Sequence, residues 1–342
     1  MAPLRLKPLG EQVVLVTGAS SGIGLVTARR AAQRGARVVL VARNGDALER
    51  TADEINAAGG AAIAVAADVR KLDEVEAAAR RAIEVFGRID TWVNDAGVAI
   101  YGRLVDTPDD EHRRLFETNY FGVVHGCCVA VRHLGQSGGA LITLGSIVSD
   151  LPSPALGAYA ASKHAIKAYV EALRMELHAD GVPIAVTLIK PSGIDTPIAQ
   201  HAANHGPGKA LVPPPTYAPE LVADAILHAA EHPRRDITIG GAGRLQVLIG
   251  EHFPWLIDLA APLMRRSVYA PGQPKDPRAA LFEPGEGGRE RSGDETPRET
   301  SLYTAAQRHP VVTAGAMAAI VALIGLGVGA GRERGPRKWL NP

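Results

Sequence analysis

The sequence predicts an α/β fold in which a parallel sheet is covered by helices on both faces. Short runs of continuously or almost continuously apolar residues recur up to about residue 245, as is typical of strands buried on both faces. Segments rich in Ala, Glu and Arg, with helical spacing, separate these runs. Strands that alternate with helices indicate a parallel sheet. The seven candidate strands are residues 13–17, 37–42, 61–66, 91–94, 140–144, 184–189 and 237–239.

Composition and charge narrow the class of protein. Hydrophobic residues make up 46% of the 342 residues and charged residues 21%, which is typical of a globular protein with a sizeable core. The net charge of +1 gives no electrostatic reason to expect nucleic acid as a partner. The two cysteines, Cys127 and Cys128, are adjacent and provide no disulfide framework, so we expect a reducing compartment.

Two regions of different composition follow one another along the chain. Residues 1–270 are predicted to form the α/β domain. Its apolar run at 13–16 is only four residues long, whereas a secretory signal needs roughly 7–15, so we expect this domain to stay in the cytoplasm. Residues 271–310 contain six prolines and five glycines but few large apolar side chains. Because such a segment buries too little surface to offset its ordering entropy, it is predicted to be a disordered linker.

A long apolar segment follows this region. Residues 311–331 carry no charge, and a helix of that length rises by about 30 Å, enough to cross the hydrocarbon core of a bilayer. We therefore expect a single apolar C-terminal helix that spans a membrane, followed by a basic tail at 332–342. The alternative is a helix rich in small residues that packs against the domain or a partner.

A glycine-rich turn follows the first candidate strand. Residues 17–24 read TGASSGIG, with the spacing G-x-x-x-G-x-G. Glycines let the backbone approach a pyrophosphate closely, and the N-terminus of the next helix supplies N–H donors and a positive dipole end. The turn therefore predicts a dinucleotide site with contacts from Gly18, Ser20, Ser21, Gly22, Ile23 and Gly24.

The end of the second strand indicates which dinucleotide binds. NAD sites usually have an acidic residue there to hold the ribose 2′-hydroxyl, but residues 38–44 contain none. Arg43 stands there instead, and its guanidinium suits a 2′-phosphate. We therefore predict NADP(H) as the cofactor. Asp68 and Val69 after the third strand would meet the adenine, and the fourth strand leads into Asn94, Ala96 and Gly97, which would line the path of the cofactor.

The candidate catalytic groups are a phenol and an ammonium four residues apart. Tyr159 and Lys163 would share one face of a helix. A free tyrosine has a pKa of about 10, and a nearby cation stabilises the phenolate, as a general acid and base near neutral pH requires. Ser146 follows the fifth strand, where its hydroxyl would hold a carbonyl oxygen. Asn119 lies in the preceding helical segment.

In these motifs the sequence resembles the short-chain dehydrogenase/reductase family over residues 12–240 or so. The resemblance rests on the turn at 17–24, the NxAG segment at 94–97, Asn119, Ser146, Tyr159 and Lys163 in that order, and a P-x-G-x-x-T segment at 191–196. It implies a seven-stranded, doubly wound (Rossmann) sheet and an enzyme that interconverts an alcohol and a carbonyl.

The resemblance also implies roles for individual residues. Tyr159 would transfer the proton, Lys163 would lower its pKa and bind the nicotinamide ribose, Ser146 would orient the substrate, and Asn119 would support a relay water. Further cofactor contacts are implied for Pro191, Gly193, Ile194 and Thr196, and Tyr159 and Lys163 would contact the cofactor as well. The family commonly has Asn where Asp95 stands and Gly where Ser192 stands.

The sequence says less about the substrate. The lid at 197–217 carries His201 and His205, but no third ligand is evident and the chemistry needs no metal, so no metal is expected. The apolar segment 245–269 would roof the pocket, pack in a dimer or lie at a membrane surface. We expect a lipophilic small-molecule substrate and a homo-oligomer. The competing interpretation is a nucleotide-binding sensor or scaffold that keeps the fold.

Overall fold

A seven-stranded parallel sheet forms the centre of the molecule, as the sequence predicts. A computed structural model describes residues 4–275, 279–308 and Thr313. The order across the sheet is β7-β6-β5-β4-β1-β2-β3, and every neighbouring pair is parallel. The strands are β1 (Val13–Thr17), β2 (Arg37–Ala42), β3 (Ala61–Ala66), β4 (Thr91–Asn94), β5 (Gly139–Leu144), β6 (Ile184–Pro191) and β7 (Asp236–Ile239).

Apolar side chains on both faces of the sheet explain why these runs form strands. In β1, Val14 and Val16 pack into one hydrophobic cluster, while Val13 and Leu15 pack into the cluster on the opposite face. Because successive side chains of a strand point to opposite faces, only a continuously apolar run places apolar side chains in both clusters. The predicted strands therefore agree with the observed ones to within two residues at each end.

Helices cover both faces and connect the strands. They are α1 (Gly22–Gln33), α2 (Gly45–Ala57), α3 (Leu72–Phe86), α4 (Asp109–Phe116), α5 (Gly122–Leu134), α6 (Gly157–Ala179), α7 (Pro219–Glu231), α8 (Gly241–His252), α9 (Pro254–Ser267) and α10 (Leu302–Arg308). Helices α1, α2 and α7 contribute to one cluster, and α3, α5 and α6 to the other.

The winding direction reverses between β1 and β4. The chain passes from β1 outwards to β2 and β3, and then returns to β4 on the other side of β1. In doubly wound sheets the loops at the carboxyl ends of the strands diverge at such a point and leave a crevice. The glycine-rich turn follows β1 directly, so it lies at this crevice.

The structure differs from the predicted disordered linker at 271–310. Residues 279–308 lie against the domain: Arg298 N donates to Thr216 O at 2.9 Å, and Thr304 Oγ1 donates to Thr238 O at 3.3 Å. Hydrogen bonds of the backbone and of small polar groups, together with the one buried leucine Leu281, attach this segment, so it orders although it has few large apolar side chains.

The predicted C-terminal helix at 311–331 and the basic tail at 332–342 lie outside the described residues, apart from Thr313. Among the residues that are described, no helix is both long enough and apolar enough to cross a membrane.

Candidate active site

The glycine-rich turn packs tightly against the end of β4. Gly18 has a positive φ of 75°, and a Cβ atom there would lie 2.8 Å from Ala96 N. A Cβ atom on Gly24 would lie 2.4 Å from Gly18 O. Both contacts are too short for any side chain, so the turn requires glycine at these positions. The hydroxyl of Thr17 accepts hydrogen bonds from Asp95 N at 3.1 Å and Ala96 N at 3.3 Å, which ties the turn to β4.

One cavity of about 280 Å³ extends along the carboxyl edge of the sheet. It runs from Arg43 past the N-terminus of α1 to Tyr159. An open groove that leads from a helix N-terminus to a phenol fits an elongated dinucleotide. The predicted cofactor residues that line it are Gly18, Ser20, Ser21, Gly22, Ile23, Arg43, Asp68, Val69, Ala96, Gly97, Tyr159, Lys163, Pro191, Gly193, Ile194 and Thr196.

Two predicted cofactor residues lie behind the cavity wall. Gly24 faces the backbone of Gly18. The buried side chain of Asn94 accepts a hydrogen bond from Trp92 Nε1 at 2.8 Å. These two residues shape the wall, and their neighbours face the cavity.

The phenol, the ammonium and the hydroxyl predicted to be catalytic meet at one end of the cavity. Tyr159 and Lys163 lie one turn apart near the start of α6, and Ser146 follows β5. Lys163 Nζ donates to Leu144 O at 2.7 Å and lies 5.6 Å from the centre of the Tyr159 ring. The hydroxyl of Ser146 donates to Pro191 O at 3.5 Å and lies beside the phenol in the wall of the cavity.

Asn119 is hydrogen-bonded to the backbone of the segment after β4, beside the residues predicted to be catalytic. It lies in a π-helical turn, Glu117–Phe121, and is completely buried. Its side chain accepts from Val98 N at 2.8 Å and donates to Val98 O at 3.0 Å and to Ser162 Oγ at 3.0 Å. It thereby fixes the segment after β4 to the helix that carries Tyr159.

Comparison with known proteins identifies the family. The family model described as short chain dehydrogenase matches residues 12–206, more than half of the chain. The chain belongs to the short-chain dehydrogenase/reductase family. The uncharacterized oxidoreductase YxnA of Bacillus subtilis is 43% identical over 326 residues, which cover 93% of this chain and 91% of YxnA. As an oxidoreductase of this family, the chain binds a nicotinamide cofactor and acts on small molecules.

Solved structures with the same fold hold NAD in one case and 5-hydroxy-NADP in another. A short-chain dehydrogenase/reductase from Burkholderia phymatum in complex with NAD has a TM-score of 0.66 and 28% identity, over 74% of this chain and 97% of that one. An alcohol dehydrogenase from Thermococcus sibiricus complexed with 5-hydroxy-NADP has a TM-score of 0.59 and 26% identity, over 67% and 95% of the two chains.

Burial dominates the electrostatics of the short-chain dehydrogenase site. It lowers the pKa of Lys163 to about 8, against the opposing charge of Asp95. It raises the pKa of Asp95 to about 7, although Lys163 opposes this. It also raises the pKa of Tyr159, against the hydrogen bond from Ser146. The sequence predicted a phenol pKa drawn towards neutrality by Lys163, whereas in this cavity burial holds the pKa of Tyr159 above its usual value.

Arg43 is hydrogen-bonded to residues 280–283, which the sequence did not predict to lie at the site. Its guanidinium donates to three backbone carbonyls, those of Ala280 at 2.5 Å, Phe282 at 3.0 Å and Glu283 at 3.1 Å. Residues 280 and 284–286 also line the cavity. No motif signals these contacts, because they are made by backbone atoms that every residue carries.

The two lid histidines have different surroundings. His201 lines the cavity, and Nε2 of His205 lies 2.7 Å from a carboxylate oxygen of Glu111. Within residues 4–275 and 279–308, no group of three or more His, Cys, Asp or Glu side chains is placed to hold a metal ion.

Proposed function

We propose that this short-chain dehydrogenase/reductase uses NADP(H) to interconvert an alcohol and a carbonyl. The observation that carries the proposal is the meeting of Tyr159, Ser146 and Lys163 at one end of a groove that begins at a helix N-terminus. The test is NADPH consumption by the purified full-length chain with carbonyl substrates. Cofactor binding with no turnover on any of them would favour the alternative of a sensor or scaffold.

Each residue at the end of the groove has its own role in the proposed reaction. Bound NADP(H) supplies hydride to a carbonyl or accepts it from an alcohol. The hydroxyl of Ser146 holds the carbonyl oxygen, and the phenol of Tyr159 gives that oxygen its proton. The ammonium of Lys163 stabilises the phenolate that remains. Asn119 holds the backbone of Val98 at the cavity wall.

The preference for NADP(H) over NAD(H) rests on the end of β2. Arg43 lines the cavity there, and residues 38–44 contain no acid to receive a ribose 2′-hydroxyl. A guanidinium has five N–H donors, and the three carbonyls engage three of them, so two remain for a phosphate. Fluorescence titration with NADPH and with NADH tests the preference, and equal affinities would contradict it.

A lipophilic substrate suits the wall around Tyr159. The side chains there are mostly apolar, namely Ala99, Tyr101, Ile147, Val148, Leu156, Ile198 and Val212. Apolar walls with a few convergent polar groups bind apolar ligands and orient one functional group. A screen of steroid, retinoid, fatty aldehyde and small ketone substrates tests this, and faster turnover of the small ketones than of the others would contradict it.

We also propose that the catalytic domain is cytoplasmic and is held at a membrane by residues 311–331. The exposed face of α9 supports this, because Trp255, Leu259 and Leu263 lie four residues apart along it and are 62%, 74% and 71% exposed. Tryptophan and leucine on one helix face suit a lipid interface. Carbonate extraction of membranes that contain the full chain tests the proposal, and recovery of the chain in the extract would contradict it. Light scattering tests for a homo-oligomer.

A further inference from the structure

Residues 279–294, here called the strap, cross the mouth of the cavity at the end that Arg43 marks. Ala280, Pro284, Gly285 and Glu286 line the cavity together with the glycine-rich turn. The strap therefore forms part of the wall around the groove. It is distant in sequence from every motif of the family and follows the region that the family model matches, residues 12–206.

Main-chain hydrogen bonds join the strap to the glycine-rich turn. Gly22 N donates to Arg289 O at 2.9 Å, and Gly288 N donates to Ser20 O at 2.8 Å. The side chain of Asn44, at the start of α2, donates to Gly285 O at 3.0 Å. These contacts place the strap beside the turn that would hold a pyrophosphate and beside the residues that would hold the adjacent ribose.

The first end of the strap is anchored by apolar burial. Leu281 is 1% exposed and packs with Val98, Ile100 and Leu115. Ala280 N donates to His201 O at 2.7 Å. This end is thereby attached to the segment after β4 and to the lid.

The other end is anchored by a buried carboxylate. Asp195 is 1% exposed, and its Oδ1 accepts a hydrogen bond from Ser292 N at 3.0 Å and a second from the hydroxyl of Ser292. Gln200 Nε2 donates to Asp294 Oδ2 at 2.8 Å, and Lys209 Nζ lies 2.5 Å from Asp294 Oδ1. Hydrogen bonds to a charged group are stronger than neutral ones, so this end is held firmly.

The middle of the strap is exposed and is held by polar contacts at the surface of the domain. Phe282, Glu283 and Pro284 are exposed, as are Gly288 and Arg289. The guanidinium of Arg43 donates to the carbonyls of Phe282 and Glu283, and Arg114 lies over the Phe282 ring. Glu290 forms an ion pair with Arg29 at 2.7 Å. These contacts lie at the surface, whereas Leu281 at one end and Asp195 at the other are buried, so the middle is the part of the strap that opens locally at the lower cost.

We propose that the strap is the second wall of the cofactor site and closes over the adenosine half of the bound dinucleotide. This inference rests on the proposed function only in that a nicotinamide dinucleotide occupies the groove. Opening of the middle of the strap admits and releases the cofactor, and its closure slows release. About 24 residues of this chain are not covered by the match with YxnA. Because 48 residues follow residue 294, the matched region includes the whole strap even if all the uncovered residues lie at the C-terminus.

The experiment compares two glycine substitutions in the full-length chain. Gly288 has φ 86° and Gly59 has φ 85°; both are exposed, and a Cβ atom on either would meet nothing within 4 Å. Gly288→Ala therefore strains the backbone of the strap. Gly59→Ala is the control, because it strains a turn remote from the cavity in the same way. Because alanine is strained in this region of φ, Gly288→Ala should release cofactor about tenfold faster. Gly59→Ala should release it at the wild-type rate.

Stopped-flow fluorescence with NADPH and, separately, with NADH measures the release rates. Ser292→Ala, which removes one hydrogen bond to Asp195 but keeps the backbone donor, should also speed release, by several-fold. Thermal melting of every variant confirms folding. Wild-type release from both Gly288→Ala and Ser292→Ala would overturn the proposal, and so would tighter binding by Gly288→Ala, because the strap would then obstruct the cofactor.

The two dinucleotides separate failure of this inference from failure of the proposed cofactor preference. If the wild type binds NADH as tightly as NADPH, the preference is wrong. The strap is still supported when the variants release either cofactor faster. If the wild type binds neither dinucleotide, both proposals are overturned.

Discussion

Lys163 and Tyr159 face the same side of α6, with the ammonium nitrogen of Lys163 5.6 Å from the centre of the Tyr159 ring. The same nitrogen donates to Leu144 O at 2.7 Å, at the end of β5. The cation is therefore fixed from two elements, the helix that carries the phenol and the strand that leads to Ser146. In the proposed reaction, this arrangement makes the charge state of Lys163 a determinant of proton transfer at Tyr159.

Tyr159→Phe should abolish most turnover and leave cofactor binding intact. The substitution removes only the hydroxyl, which is the proton donor of the proposed reaction. Loss of a general acid typically lowers the rate by about 10²–10⁴-fold. Single-turnover rates with saturating NADPH measure the loss, and fluorescence titration measures binding. Tyr303→Phe, on α10, is the matched control and should keep the wild-type rate. Retention of most activity by Tyr159→Phe would show that another group moves the proton.

Arg43→Leu should reduce the ratio of NADPH affinity to NADH affinity by at least tenfold. A charge-assisted hydrogen bond contributes roughly 1.5–3 kcal/mol, and 1.4 kcal/mol corresponds to a factor of ten. The ratio is the appropriate measure, because Arg43 also holds the carbonyls of Ala280, Phe282 and Glu283, and loss of those contacts affects both cofactors alike.

Arg81→Leu, an exposed substitution on α3, serves as the control for the loss of one positive charge. It should leave the ratio unchanged. A wild-type ratio in Arg43→Leu would mean that the 2′-phosphate is recognised by other residues.

The sequence was sufficient to predict the sheet and to predict that Tyr159, Lys163 and Ser146 meet, for physical reasons that differ. Strands buried on both faces need continuous apolar runs, which are visible directly, as in β1 and β5. Tyr159, Lys163 and Ser146 carry chemistry that backbone atoms do not supply, so their identities and spacing mark them.

The position of the strap could not be predicted from the sequence, because most of its contacts with the cavity are made by backbone atoms and not by particular residue types. Carbonyl oxygens of residues 280, 282 and 283 hold Arg43, and any residue type provides a carbonyl. Only Ser292 makes a side-chain contact at a buried carboxylate, that of Asp195, and an isolated Ser–Asp pair 97 residues apart gives no sequence signal. Asn94 and Gly24 are the opposite case. Both occupy motif positions that predict contact with the cofactor, but in the structure they lie behind the cavity wall.

Asp95→Asn should move the alkaline limb of carbonyl reduction to lower pH. Burial lowers the pKa of Lys163 to about 8, and the negative charge of Asp95 opposes that decrease. Without that charge the pKa of Lys163 falls further, so the cation that stabilises the phenolate is lost at a lower pH. The pH dependence of kcat/KM reports groups of the free enzyme. An alkaline limb that stays in place or moves to higher pH would contradict the electrostatic role of Asp95.

Asp150→Asn should destabilise the fold at neutral pH and make its stability less sensitive to acid. The carboxylate is 3% exposed and lies 2.5 Å from Lys167 Nζ and 2.8 Å from Lys190 Nζ. Burial alone would raise its pKa, but the hydrogen bonds from both lysines outweigh this, and the pKa lies below its usual value. A carboxyl whose pKa is lower in the folded state contributes stability that is present above its unfolded pKa, about 3.9.

That contribution is lost as the pH falls from the unfolded pKa through the folded pKa, because over this range the unfolded chain binds more protons than the folded one. The expected cost of Asp150→Asn at pH 7 is about 1–3 kcal/mol, since the substitution leaves the ammonium groups of Lys167 and Lys190, with side chains 31% and 13% exposed, without their carboxylate. Urea unfolding at pH 7 and pH 3 measures both effects, with Asp53→Asn, an exposed carboxylate on α2, as the control. The wild type should lose more stability than Asp150→Asn between the two pH values. Equal losses in the two proteins would mean that the Lys167–Asp150–Lys190 cluster makes no net contribution to stability at neutral pH.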